Sequence, residues 1–237
     1  MSVPAPPLTP YGKGLKESGL AVLRTVLDGY IRRRWDVNER GNGLVPEEGP
    51  VILASNHIGW LDGPLLIVTT PRPAHAWVKS EMFEGKTGLL MKLAGQISVR
   101  RRTTDAGALR QAVQALQAGQ VVVVYPEGTR GDGEFTAIEG GVGYLALVTG
   151  APVVPVAIFG TRQAGESSGA KPAKGARIDV MYGVPIQFAR HDWPREKESV
   201  AEATHLIHEH LLSHLADVRK KTKLELPGKL PAGDNHE

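Results

Sequence analysis

The distribution of apolar residues along the 237-residue chain predicts an alternation of strands and helices. Short apolar runs, which are typical of buried strands, alternate with segments whose apolar residues recur at helical spacing. The predicted strands are Val51–Ser55, His75–Lys79, Ile97–Val99, Val121–Tyr125, Val153–Phe159 and Arg177–Met181, and the predicted helices are 62–70, 86–94, 104–118, 139–149 and 195–220. This alternation predicts an α/β fold with a mixed, largely parallel sheet flanked by helices.

An N-terminal amphipathic helix is predicted over residues 14–35. Its apolar positions and its basic end are Leu20, Leu23, Val26, Leu27, Tyr30, Ile31, Arg32, Arg33, Arg34 and Trp35. Such a stripe is typical of a helix that docks on an anionic membrane surface; the alternative is that it packs on the domain as core. We expect residues 1–40 to form a flexible lead and a membrane-docking helix, 41–220 the α/β domain, and 221–237 a polar tail.

Composition narrows the class of protein. Hydrophobic residues make up 41% and charged residues 22% of the chain, which is typical of a globular protein. The chain has no cysteine, which excludes disulfides, thiolate metal ligands and a cysteine nucleophile. No stretch approaches the roughly 18 apolar residues of a membrane span, and the first residues do not resemble a signal peptide. We therefore expect a cytoplasmic protein, peripherally associated with the inner face of the membrane.

Three polar side chains follow the first predicted strand. Asn56 and His57 come directly after Ser55, and Asp62 lies five residues beyond the histidine. On a continuous helix this spacing would separate the two side chains by roughly 140°, so they meet only if the chain turns, which Gly59 permits. A carboxylate bonded to one ring nitrogen fixes the tautomer and raises the basicity of the other. The alternative is a buried structural histidine beside a helix-capping aspartate.

A second polar segment follows the four-valine strand, where Pro126 breaks the apolar run. This segment holds Glu127 and Arg130, and arginine suits a bidentate contact with phosphate. Because ligands bind outside the carboxyl ends of strands in open α/β sheets, this segment and the His57 segment are expected at the same edge. The alternative is an exposed turn with a local ion pair.

Together these segments resemble the glycerolipid acyltransferase family, whose best-known members are the 1-acylglycerol-3-phosphate acyltransferases. The resemblance rests on four motifs in the family's order: Asn56-His57 with Asp62, Gly95 to Arg101, Tyr125 to Arg130, and Val153 to Val156 around Pro155. Lys79 stands ahead of the second motif, where the family usually has a lysine. The sequence departs from the family pattern at Ile58, Gly59, Arg100 and Gly131.

The resemblance implies a reaction and roles for the motif residues. A fatty acyl group would pass from acyl-CoA or acyl carrier protein to the free hydroxyl of 1-acylglycerol 3-phosphate, without metal or cofactor; other lysophospholipids and lipid alcohols are alternatives. His57 would act as general base, and Asp62 would stabilise the imidazolium. The acceptor and its phosphate would contact Lys79, Arg101, Glu127, Gly128, Thr129 and Arg130. Glu127 would bond the acceptor's glycerol or brace Arg130.

Other chemistries fit the sequence less well. Gly85-Lys86-Thr87 imitates the end of a phosphate-binding loop, but Ser80 stands where the first glycine should be. Residues 165–169 match a Gly-x-Ser-x-Gly nucleophile motif without its strand and helix. The histidines of 205–214 lack zinc-helix spacing and are expected on the outer face of their helix. Dispersed basic residues argue against nucleic acid, and a non-catalytic membrane-binding member of the family is a further alternative.

Overall fold

The computed structural model describes residue 15 and residues 18–100, 105–191 and 196–234. Within these ranges a central sheet carries helices on both faces. Its strands are β1 (Asp36–Arg40), β2 (Val51–Ser55), β3 (Ala74–Lys79), β4 (Ile97–Val99), β5 (Val121–Val124), β6 (Val153–Phe159) and β7 (Arg177–Tyr182). The helices are α1 (Ser18–Arg34), α2 (Asp62–Thr69), α3 (Gly85–Leu93), α4 (Ala106–Gln117), α5 (Gly141–Thr149) and α6 (Lys197–Thr222).

The sheet is mixed and largely parallel, which confirms the predicted fold class. Its strand order is β1-β7-β6-β2-β5-β3-β4, and every neighbouring pair is parallel except β6 and β7. Phe159, the last residue of β6, therefore pairs with Asp179 near the start of β7. The first residues of β1 and β7 consequently lie at the same edge as the last residues of β2, β5 and β6.

One strand was not predicted. The segment of β1 is polar, because it forms the outer strand of the sheet and pairs only with β7 among the described strands. Val37 packs against the core, but other side chains make polar contacts: Asn38 Nδ2 donates to Asp179 Oδ1 at 2.5 Å, and Arg32 of α1 bonds Glu39 at 3.1 Å. A strand with so few apolar residues cannot be predicted from the pattern of apolar positions.

The two faces of the sheet explain the uniformly apolar β5. Val122 and Val124 pack into the core shared with α4, α5 and α6, whereas Val121 and Val123 pack into the core shared with α1 and α2. A strand covered on both faces needs apolar residues at every position. Gly143 of α5 permits the close packing of α5 on α6, since a Cβ atom there would lie 2.2 Å from Thr204 Oγ1.

Most of the apolar stripe predicted on α1 packs on the domain, which was the alternative to membrane docking, but Val26 and Tyr30 of that stripe are exposed. Leu20, Leu23 and Ile31 are at most 7% exposed, and Trp35 is also buried. They pack on the domain because the stripe meets apolar residues of α2 and of the segment after α3. In the part of the chain that the structure describes, none of the helices combines the length and the apolar composition of a membrane span.

Residues 160–175 and the predicted polar tail both pack against the domain. Trp35 Nε1 donates to Pro172 O at 3.1 Å, and the backbone N of Ser168 donates to Asp234 Oδ2 at 2.7 Å. Pro227 is buried, and the apolar tail residues Leu224 and Leu226 contact the main core. The segments 160–175 and 223–234 therefore hold each other in place beside the sheet.

Three histidines of α6 face the domain, so their predicted position on the outer face is wrong. The Nε2 atoms of His208, His210 and His214 each bond a backbone oxygen of a neighbouring loop or strand. Burial lowers the pKa of His214, which favours a neutral ring that donates to the carbonyl. These contacts attach α6 to the rest of the domain.

Candidate active site

The site begins where Asn56 joins two neighbouring strands. Asn56 is fully buried at the end of β2. Its Nδ2 donates to Ile158 O at 3.0 Å, and its Oδ1 accepts from Ile158 N at 2.7 Å. The side-chain amide thus continues the hydrogen bonding between β2 and β6 for one step beyond the strand. This fixes the position from which His57 leaves the sheet.

His57 and Asp62 meet across a tight turn. His57 Nδ1 lies 2.8 Å from Asp62 Oδ2; the aspartate is fully buried, whereas the histidine side chain is 12% exposed. The turn requires Gly59, since a Cβ atom there would lie 2.8 Å from Thr161 O. When Nδ1–H donates to the carboxylate, a neutral imidazole carries its lone pair on Nε2. The arrangement can therefore remove a proton from a nearby hydroxyl.

Asp62 accepts from four donors. Its Oδ2 receives the backbone N–H groups of Ile58 at 2.7 Å and Gly59 at 2.9 Å in addition to the His57 ring. Its Oδ1 receives the hydroxyl of Thr161 at 2.5 Å. Asp62 is also the first residue of α2, where the helix dipole favours a negative charge. These contacts stabilise a carboxylate that has no exposure to water.

The loop after β5 holds the backbone of His57 from the other side. Glu127 Oε1 accepts from His57 N at 2.9 Å, and Gly131 N donates to His57 O at 2.8 Å. The Tyr125 ring stacks on the His57 ring with centroids 4.0 Å apart and planes at 17°. The loop therefore fixes the direction of the imidazole. Glu127 bonds the backbone of His57, a contact that neither role expected for it had included.

Burial gives Glu127 an unusual pKa. Desolvation raises the pKa of its carboxyl from 4.5 to about 7. Repulsion from Asp132 and Asp62 acts in the same direction, whereas the hydrogen bond from the His57 backbone acts against it. The Glu127 carboxyl, whose pKa is near neutrality, thus lies close enough to the buried Asp62 carboxylate to be affected by its charge.

The structure places the other described site residues in the loop after β5, at the end of β3 and inside β6. Gly128 and Thr129 are exposed in the loop after Glu127, and Arg130 is half-buried there. Lys79 is the half-buried last residue of β3, at the same edge of the sheet. Pro155 lies inside β6, level with Ala54 of β2, and is not brought into the site. Arg101 lies outside the described residues.

Two residues of the site were missed by sequence reasoning. Thr161 and Arg162 follow β6 after Gly160, and both are buried. The Arg162 guanidinium donates to Ile58 O at 2.9 Å, Gly131 O at 2.9 Å and Gly228 O at 2.6 Å. It thereby joins the loop after β2, the loop after β5 and the segment after α6. Their position in the sequence could have indicated them, because both residues follow the carboxyl end of a predicted strand, where ligands bind in such sheets.

The structure also describes the nucleophile-like motif of residues 165–169 and the histidines of α6, which are the alternative sites considered from the sequence. Residues 165–169 form turns with neither a strand before nor a helix after them, and Ser168 is buried. Among the residues with described positions, no group of three or more histidine, aspartate or glutamate side chains is arranged to hold a metal ion.

Comparisons with known proteins point to one family. The model of the family described as Acyltransferase matches residues 36–159, just over half of the chain. The 1-acyl-sn-glycerol-3-phosphate acyltransferase of Bacillus subtilis is 27% identical over 169 residues, covering 70% of this chain and 82% of that enzyme. A Pseudomonas aeruginosa lyso-ornithine lipid O-acyltransferase is 31% identical over 127 residues, covering 50% of this chain and 46% of that enzyme. The chain thus spans most of the first relative and about half of the second.

The fold has a counterpart among solved structures. The crystal structure of the 1-acyl-sn-glycerophosphate acyltransferase PlsC from Thermotoga maritima superposes with a TM-score of 0.61. The two chains are 20% identical, and the match covers 83% of this chain and 79% of that one. This likeness concerns the fold.

The raised pKa of Glu127 predicts a pH-dependent stability. The folded chain favours the protonated carboxyl, so its contribution to stability is complete below about pH 4.5 and is lost as pH rises through about 7. Glu127→Gln replaces the carboxyl with a neutral group, so this part of the pH dependence should disappear. The test is urea unfolding of both proteins at about pH 5 and pH 8. Equal changes in unfolding free energy between the two pH values would contradict the assignment.

Proposed function

Since the chain belongs to the acyltransferase family, we propose that it transfers a fatty acyl group from acyl-CoA or acyl carrier protein to the free hydroxyl of 1-acylglycerol 3-phosphate, giving phosphatidate. The observation that carries the proposal is the contact of His57 Nδ1 with the buried carboxylate of Asp62 at 2.8 Å. The name of the Bacillus subtilis relative supports this acceptor. The lyso-ornithine lipid O-acyltransferase relative makes another lysolipid the second candidate.

In the proposed mechanism His57 acts as general base. An aliphatic hydroxyl is too weak an acid to ionise unaided near pH 7, so Nε2 of His57 takes its proton as the oxygen attacks the thioester carbonyl. The tetrahedral intermediate then collapses, the C–S bond breaks, and the imidazolium returns the proton to the leaving thiolate. Asp62 stabilises the imidazolium between these steps. Both substrates are bound together, and no acyl-enzyme forms.

The acceptor's phosphate is proposed to contact the exposed part of the site. Arg130 is half-buried in the loop that bonds both sides of the His57 backbone. Gly128 and Thr129 extend the same loop, and Lys79 adds a cation at the same edge of the sheet. Arg101 is proposed as a further phosphate ligand from its sequence motif alone. A phosphate held here would align the neighbouring hydroxyl with His57, and such positioning can supply about 7–11 kcal/mol of the barrier.

An anionic bilayer is proposed to contact the exposed faces of α1 and α3. Val22 and Val26 are 66% and 65% exposed, and Leu89 and Leu90 of α3 are also exposed. The two helices touch at Gly19, where a Cβ atom would lie 2.2 Å from Leu93 O. Val22 lies about one turn and Val26 about two turns from this contact along α1, and Leu89 and Leu90 lie about one turn from it along α3. These side chains are proposed to form one apolar surface. The basic side chains Arg33 and Lys92 lie on the same helices.

Loss of the base should abolish acyl transfer without unfolding the protein. His57→Ala is expected to lower turnover by about 10²–10⁴-fold, the usual contribution of a general base, and Asp62→Asn should also lose much activity through the wrong tautomer. His205→Ala, which removes an exposed histidine of α6, is the matched control. Turnover and thermal melts are measured together. If His57→Ala retains more than about a tenth of wild-type turnover, the mechanism is wrong.

Arg130→Ala should discriminate between acceptors. The variant is expected to lose activity mainly on 1-acylglycerol 3-phosphate, because a monoacylglycerol without phosphate makes no contact with the guanidinium. Arg110→Ala, an exposed arginine of α4, should leave both activities unchanged. Product formation is measured by mass spectrometry on a panel that includes lyso-ornithine lipid. Equal losses on charged and uncharged acceptors would show that Arg130 has a structural role only.

The bilayer contact is tested on the exposed face, since deleting α1 would also remove buried core residues. Val22→Ser combined with Val26→Ser should weaken binding to phosphatidylglycerol-containing vesicles by at least about tenfold, because two apolar side chains are no longer transferred from water into the bilayer. Leu206→Ser with Leu212→Ser is the matched control from exposed positions of α6. Vesicle sedimentation with and without added salt gives the partition constants. If the two double variants bind equally well, α1 is not the docking surface.

A further inference from the structure

We propose that Thr161 is a positioning residue of this site: its hydroxyl fixes the carboxylate of Asp62, which in turn holds the ring of His57. The inference rests on the proposed acyl transfer. The contact that carries it is the hydrogen bond from Thr161 Oγ1 to Asp62 Oδ1 at 2.5 Å. Both side chains are fully buried, so this bond is shielded from competition by water.

The two oxygens of Asp62 have different tasks. Oδ2 accepts from the backbone of Ile58 and Gly59 and faces Nδ1 of His57. These three contacts hold one oxygen of the carboxylate. The Thr161 hydroxyl bonds the other oxygen, so the group is held at both ends and its rotation about the Cβ–Cγ bond is opposed from two sides. The direction of the His57 ring depends on the orientation of the carboxylate, because the Nδ1 hydrogen bond has a preferred angle.

The backbone around Thr161 is fixed on both sides. Gly160 has a positive φ of 84°, and a Cβ atom there would lie 2.3 Å from Arg177 O in β7. The carbonyl of Thr161 lies against Gly59 in the turn between the histidine and the aspartate. Arg162, the next residue, donates to Ile58 O at 2.9 Å. Thr161 is thus held to the turn it supports, and its hydroxyl has little freedom to move elsewhere.

Thr161→Val is the test, since it removes the hydroxyl and keeps the shape of the side chain. We expect kcat to fall by about tenfold or more with KM of both substrates nearly unchanged, because small errors in alignment act on the chemical step. Thr161→Ser, which keeps the hydroxyl, should recover most of the rate. Thr70→Val is the matched control: Thr70 is also fully buried, and its hydroxyl bonds Leu66 O away from the site.

A double-mutant cycle separates positioning from general stability. If Thr161 acts through Asp62, Thr161→Val should have little further effect on kcat in an Asp62→Ala background. An equal loss in both backgrounds, or no recovery by serine, overturns the proposal while leaving the acyltransferase assignment intact. Failure of Asp62→Ala itself to lower kcat would instead contradict the proposed mechanism.

A spectroscopic measurement does not depend on turnover. In protein labelled with ¹⁵N-histidine, the His57 ring N–H resonance is identified by its absence in His57→Ala. We expect this proton to exchange faster with water in Thr161→Val and to behave as in wild type in Thr161→Ser. Unchanged exchange in the valine variant contradicts the proposal. Thr161→Ala replaces the valine variant if that one does not fold, and if neither folds, Thr161 is a structural residue and the proposal is rejected.

Discussion

The buried negative charge of Asp62 is the constraint on which the rest of the site depends. A carboxylate removed from water costs several kcal/mol unless donors replace its hydration. Here the replacement comes from a ring, two backbone N–H groups and one hydroxyl. The backbone donors can converge only in a tight turn, and the turn can lie against Thr161 only because Gly59 lacks a side chain. The need to satisfy one charge thus determines the path of the chain from His57 to α2.

The topology of the sheet supplies the remaining parts. β6, β2 and β5 are neighbours and parallel, so their carboxyl ends deliver Thr161, His57 and Glu127 to the same place. Arg162, which follows β6, then joins the loop after β2, the loop after β5 and the segment after α6 by donating to their carbonyl oxygens. A buried cation of this kind leaves few alternative conformations, since each displaced carbonyl would leave an unsatisfied donor. The His57–Asp62 pair is therefore part of a rigid frame that is built on the ends of these strands.

The sequence was sufficient for features set by local pattern and insufficient for those set by distant contacts. Strand boundaries and the spacing of His57 and Asp62 predicted their contact, because both residues belong to one turn. Thr161 lies 99 residues from Asp62 in the chain, within a segment whose composition resembles a loop. For α1 the sequence left a membrane-facing stripe and a core stripe as alternatives, for another reason. The helix has apolar residues on two sides, and only packing shows that Leu20 is buried while Val22 is exposed.

The site has a rigid part and an exposed part, and the rigid part indicates the reaction more clearly than the exposed part indicates the acceptor. Of the residues proposed for proton transfer, Asp62 is fully buried and the His57 side chain is 12% exposed. Hydrogen bonds hold both residues, so their geometry follows from the fold. Gly128 and Thr129, proposed to meet the acceptor, are exposed, and Arg130 is half-buried. Exposed positions can change without disturbing the frame, so one scaffold accommodates different lipid head groups. The relatives agree with this, since their names share acyl transfer to a lysolipid and differ in the acceptor.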